Sequence, residues 1–166
     1  MSSRSSSNRL LVQYWQDIAP SDRLAHLVRD TARAYTRALQ SRLAQHNIPF
    51  SHWQFLRILW RFDGLTQREL SERAGVMEPT TQVVISAMEQ RGYVGRRQQA
   101  GNRKNKHVYL TVKGRALESV LVPLAQETNV LSQQGISEQD VQVTRQVLLR
   151  LLGNLAQEDS LPPGSA

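Results

Sequence analysis

A mainly α-helical fold carrying one small β-hairpin follows from three features of this 166-residue sequence. Apolar side chains recur at three- and four-residue spacing through residues 21–61 and again through 113–155, the period of helices that bury one face. Residues 64–92 hold two short helical patterns separated by a tight, glycine-containing turn. Two strand-like runs, 93–98 and 107–111, then flank a polar stretch at 99–106, which predicts a hairpin.

Taken in order, residues 1–8 are rich in serine and carry Arg4, a composition expected to remain a disordered N-terminal arm. Residues 9–18 place Leu10, Leu11, Tyr14, Trp15 and Ile18 on one side before Ala19 and Pro20 stop the run. So short a segment cannot bury that face alone, and docking on another helix or a second subunit is expected. Ser21 can cap a long helix over 21–46, whose apolar positions are Leu24, Leu27, Val28, Thr31, Tyr35, Ala38, Leu39 and Leu43. Asn47, Ile48 and Pro49 end it. The next helix, 51–61, carries Trp53, Phe55, Leu56, Ile58, Leu59 and Trp60, apolar nearly all round and so buried on several sides. Asp63 and Gly64 form its exit turn.

Thr66 and Glu69 have the spacing of a capping box for a short helix that presents Leu70 and Ala74 to a core, and Gly75 stops it. After Val76 and Met77 a second helix begins near Glu78, with Pro79 in its first turn, where a missing N–H costs nothing. Thr81, Val84, Ile85 and Met88 share its inner side, which leaves Pro79, Gln82, Val83, Ser86 and Gln90 outside. Helix, short turn, helix is the arrangement whose second helix can enter a DNA major groove. Gly92 closes that helix. The hairpin beyond it, with its flanks, carries Arg96, Arg97, Arg103, Lys104, Lys106, Lys113 and Arg115 and no acidic residue between Tyr93 and Arg115. Groove entry and phosphate neutralisation are thus supplied side by side. Residues 113–134 read as one helix with Leu117, Val120, Leu121, Leu124 and Leu131 in a stripe, and Pro123 predicts a kink. Gly135 breaks the chain, and Ser137 caps a last helix, 138–155, with Val141, Thr144, Val147, Leu148, Leu151, Leu152 and Leu155 on one face.

The net charge of +7 favours a polyanionic partner, and its concentration in one hairpin favours nucleic acid over a membrane surface. No apolar run approaches a membrane span, and residues 1–8 lack a signal peptide's apolar core, so a cytoplasmic protein with no membrane partner is expected. Cysteine is absent, which excludes disulfides, zinc fingers and thiol-oxidation sensing. His26, His46, His52 and His107 have no metal-site spacing, and there is no nucleophile elbow or phosphate-cradling glycine loop. No enzyme activity, metal or cofactor is expected.

The stretch from Thr66 to Gly114 resembles the winged helix-turn-helix of the MarR family, the multiple-antibiotic-resistance type of bacterial transcription regulators. The resemblance rests on the first helix from Leu70 to Gly75, on Glu89-Gln90-Arg91-Gly92-Tyr93-Val94, on the wing arginine Arg103, and on Leu110-Thr111-Val112-Lys113-Gly114. In helix layout it extends over residues 21–155. Three positions depart from the family pattern: Met77 where a small hydroxyl residue usually caps the reading helix, Val83 where a basic residue often stands, and Asn102 where an acid usually precedes the wing arginine. Val83 points instead to contact with thymine methyls. The resemblance also implies a short strand at Leu65.

The chain therefore reads as an arm (1–8), N-terminal dimerisation helices (9–48), a DNA-binding region (49–114), C-terminal dimerisation helices (115–157) and a flexible tail (158–166). The apolar stripes left on its first and last helices predict a homodimer, which would set two reading helices in successive major grooves of a pseudo-palindromic operator. Pro79, Thr80, Gln82, Val83 and Ser86 are the expected base contacts. Arg103 and Lys104 should reach the minor groove, while Thr66, Gln67, Arg96, Arg97 and Lys106 suit phosphates. The resemblance further implies a small aromatic carboxylate effector between the long helix, the one after it and the helix after the wing, a seam holding His26, Arg29, Arg33, His52, Trp53 and Arg57. The overall expectation is a repressor released by that effector. Two alternatives use the same elements, namely a ligand-insensitive or activating regulator and a winged-helix adaptor that contacts only proteins.

Overall fold

The computed structural model describes residues 2–16, 24–99 and 102–158. Helix α1 spans Ser2–Gln16, α2 Leu24–Ala44 and α3 Phe50–Arg61. Strand β1 (Leu65–Thr66) leads into α4 (Gln67–Ala74) and α5 (Glu78–Gln90), and the hairpin follows as β2 (Val94–Gln99) and β3 (Asn102–Leu110). Helices α6 (Val112–Ala116), α7 (Glu118–Ser132) and α8 (Glu138–Glu158) complete the chain. The stop at Ala19 and Pro20, the Ser21 cap and the tail after Glu158 lie outside the described residues. Residues 1–128 form one unit and 129–166 a second.

In the first unit the three strands make an antiparallel sheet in the order β1-β3-β2. Leu65 pairs with Val108, and Val94 with Leu110, so the short strand expected at Leu65 is present. The regular ladder of the hairpin ends where Gln98 faces Lys106, and the register then jumps to Gln99 opposite Asn102. The core joins Leu39 and Leu43 of α2, Phe55, Leu56 and Leu59 of α3, Leu70 of α4, Ile85 and Met88 of α5, Val94, Val108 and Leu110 of the hairpin, and Leu121 of α7. A helix buried on several sides, as the apolar pattern of α3 demands, is what ties the sheet and the two short helices to α2. The N-terminal half of α2 is different: Leu24, Leu27 and Val28 are exposed. In the second unit α8 likewise leaves Val143, Val147, Leu148, Leu149, Leu152 and Leu155 open.

Two expectations are corrected. The serine-rich segment is not an irregular arm but the first turns of α1, which begins at Ser2. Asn8 on that helix accepts a hydrogen bond from Arg37 Nη2 of α2 at 2.9 Å, a tie that composition alone does not reveal. The single helix expected over 113–134 is interrupted at Leu117, while Pro123 sits inside α7. The cause is tertiary. The Gly114 carbonyl, which an unbroken helix would give to the N–H four residues on, accepts the Trp60 indole N–H at 3.0 Å.

Candidate nucleic-acid interface

The two helices that present the site are fixed by local chemistry. Thr66 and Glu69 close a full capping box: Glu69 N–H donates to Thr66 Oγ1 at 3.2 Å, and Thr66 N–H donates to Glu69 Oε2 at 2.7 Å. Those hydrogen bonds hold the Glu69 carboxyl below its ordinary range. At the other end of α4, Gly75 adopts the left-handed conformation with φ 64°, which glycine reaches without a Cβ clash and which turns the chain toward α5.

Helix α5 is divided sharply. Thr81, Ile85 and Met88 are buried, whereas Pro79, Thr80, Gln82 and Val83 stand exposed, Val83 at 70%. Met77 occupies the N-cap without a side-chain hydrogen bond, as its apolar side chain requires, and Pro79 lies in the first turn. The leading end of α5 thus keeps backbone N–H groups free of a side-chain cap, on the side where the helix dipole favours an anion.

The hairpin runs beside this face. Thr66, Gln67, Arg68, Glu78, Gln82, Arg96, Lys106 and Val108 line a polar cleft of about 640 Å³ between the helix pair and the strands. Lys106 and Arg97 are exposed, and the Arg97 guanidinium lies 5.8 Å from the centre of the Tyr109 ring. Arg96 behaves differently from its neighbour. Its guanidinium pairs with Glu89 at 3.1 Å and donates to Ser86 Oγ at 3.0 Å, both on α5. The expected phosphate contact Arg96 and the expected base contact Ser86 are therefore bonded to one another. The backbone of Arg103 and Lys104 lies in β3, while their side chains and that of Asn102 fall outside the described residues.

The hairpin root is held by Asp63, whose position in the sequence marks it only as a turn residue, together with Thr111 and Arg115. One carboxylate oxygen of Asp63 accepts the Leu110 N–H at 2.8 Å and the other pairs with Arg115. Thr111 Oγ1 donates to the Gly92 carbonyl at 2.6 Å. An acid next to a turn glycine was the available signal for Asp63. Glu89 offered none, because its link to Arg96 crosses from helix to strand.

The residues expected to hold an effector are not gathered in this way. His26, Arg29, Arg33 and Arg57 are exposed, with Arg29 and Arg33 lying 3.6 and 3.9 Å from Asp30. His52 and Trp53 are buried in the core, His52 edge-on to Tyr93 with ring centres 6.2 Å apart and Trp53 against Trp60 at 5.8 Å. Burial, and secondarily the Arg91 charge, lowers the His52 pKa from its ordinary value of 6.5. Below that value the unfolded chain binds a proton that the folded chain refuses, so stability falls with decreasing pH and is fully present above it. Thermal melts should show a larger drop between about pH 7.5 and pH 5 for the native chain than for His52→Gln. Equal drops would remove His52 as the cause.

The sequence pattern of the MarR family matches residues 49–106. Over 95 residues the chain is 30% identical to the HTH-type transcriptional regulator TtmR of Methylorubrum extorquens, a match that takes in 57% of this chain and 49% of that protein. The chain thus spans about half the length of that relative. It is 26% identical over 133 residues to the homoprotocatechuate degradative operon repressor of Escherichia coli, covering 79% of this chain and 88% of that one. The crystal structure of the transcriptional regulator PA3341 superposes with a TM-score of 0.73 at 34% identity, over 80% of this chain and 98% of that one. A MarR-family regulator from Listeria monocytogenes, solved with a 26mer DNA, shares the fold with a TM-score of 0.76 at 20% identity, over 82% and 91% of the two chains.

Proposed function

The chain belongs to the MarR family of winged helix-turn-helix transcriptional regulators, and from that premise we propose that it is a homodimeric repressor of a pseudo-palindromic operator. It is a DNA-binding regulator and not an enzyme. The observation that carries the finer reading is the division of α5, whose exposed Pro79, Thr80, Gln82 and Val83 make no contribution to the buried core and lie beside a basic hairpin. Gln82 has the paired donor and acceptor that match the major-groove edge of adenine, and Val83 suits a thymine methyl. Thr66, Gln67, Arg97 and Lys106 border the cleft or the hairpin surface where the phosphate backbone would pass, and Arg103 and Lys104 extend the basic strand toward the minor groove. Pairing through the open apolar faces of α1 and α8 would set two reading helices about 10 bp apart.

The second reading concerns release. A small anionic aromatic remains the proposed effector class, supported by the exposed Arg29, Arg33 and Arg57 and by the relative named as repressor of a homoprotocatechuate degradative operon. His52 and Trp53 serve this only from behind, as packing.

The deciding experiment is an anisotropy titration against the gene's own upstream DNA and an unrelated duplex at several salt concentrations, followed by challenge of the complex with aromatic and aliphatic acids. With four ionic contacts per subunit from Arg97, Arg103, Lys104 and Lys106, the log–log salt slope should be roughly −7 for the dimer. The upstream fragment should bind more tightly, and aromatic acids should release it. Equal affinity for both duplexes would overturn an upstream operator, and no binding at low salt would leave the adaptor reading.

A further inference from the structure

We propose that Glu89 is an internal stand-in for a DNA phosphate, holding Arg96 on the reading helix so that this arginine contributes to sequence discrimination and not to indiscriminate backbone binding. The inference rests on the DNA-binding reading above. Arg96 sits on β2 opposite Val108, and its side chain reaches from the strand to α5. There it makes two contacts at once: Nη1 lies 3.1 Å from Glu89 Oε2, and Nη2 donates to Ser86 Oγ at 3.0 Å. The arginine side chain is 24% exposed and that of Glu89 39%, so the pair is partly shielded. Carboxylate and phosphate oxygens offer a guanidinium the same geometry, and they compete for it.

The consequence differs for the two kinds of DNA complex. An arginine free at the hairpin root would meet a phosphate on any duplex and raise affinity without regard to sequence. Held by Glu89, Arg96 is subtracted from that sum. It also fixes Ser86, at the edge of the reading face. Because the Ser86 oxygen already accepts from Arg96, its own hydroxyl proton is left to donate, which favours a base edge presenting an acceptor such as guanine O6 or N7 or thymine O4.

The test is a double-mutant cycle on the full-length protein with Glu89→Gln and Arg96→Gln, and with Glu89→Ala as a second variant because alanine suits a helix interior. Affinity for an unrelated duplex is measured across a salt series. Glu89→Gln and Glu89→Ala should tighten nonspecific binding about tenfold at low salt and steepen the slope by about two per dimer, while the preference for the operator narrows. The same substitutions in the Arg96→Gln background should change neither quantity. An equal gain in that background would mean that loss of one negative charge explains everything, and no gain at all would mean that Arg96 is not withheld; either result overturns the proposal alone. Failure of the native protein to bind either duplex would overturn the DNA-binding reading and this inference together.

Discussion

Replacing Gly114 by alanine is expected to lower the melting temperature by roughly 10 °C, corresponding to about 3 kcal/mol of overpacking. The added Cβ would stand 2.0 Å from the Tyr93 carbonyl oxygen and 3.1 Å from Leu110 Cδ2. Neither side can yield easily. The Tyr93 oxygen accepts the Thr111 N–H at 3.0 Å, and Gly114 is itself pinned between Thr111 Oγ1, 3.0 Å from its N–H, and the Trp60 indole on its carbonyl. A suitable control is Gly153→Ala, where no atom lies within 4 Å and the residue is inside α8, so that alanine should be neutral or slightly stabilising. Circular dichroism melts of the two variants check the pair, and a Gly114→Ala midpoint equal to the native one would mean that the hairpin root relaxes freely.

The second large effect concerns recognition. Gln82→Ala should weaken operator binding by about 4 kcal/mol for a dimer, on the order of a thousandfold, if each subunit loses one paired contact to adenine. Affinity for an unrelated duplex and its salt slope should stay as they were, since an exposed neutral side chain adds no counterion release. Parallel losses on both duplexes would instead identify Gln82 as a backbone contact. Stability should be untouched in either case, because Gln82 is not part of the buried core of α5.

These expectations rest on features that differ in how openly the sequence displays them. The capping box of Thr66 and Glu69, the left-handed turn at Gly75 and the inward face of α5 are local, and their spacing reveals them directly. The interruption at Leu117 is not local. It depends on an indole 54 residues away in sequence taking the Gly114 carbonyl, and no periodicity records that. The Glu89–Arg96 pair is hidden for a related reason, since a helix rule and a strand rule each stop at Gly92 between them. His52 and Trp53 show a further limit. A helix that is apolar all round announces burial without saying which side meets a cavity and which meets the core, and here both residues meet the core. The serine-rich start of α1 shows the converse, because composition speaks to what a segment can do alone and not to a helix that continues through it.

The two faces of α5 also bear on how such a protein can diverge. Thr81, Ile85 and Met88 answer to packing and tolerate little change, while Gln82 and Val83 are exposed and, as the proposed base contacts, would answer to the DNA sequence they meet. Substitutions at the outer positions carry almost no folding penalty, so they are open to drift and to selection as soon as a promoter changes. A duplicated copy of this gene could therefore acquire a new target through a handful of outer replacements while its scaffold stayed as it is.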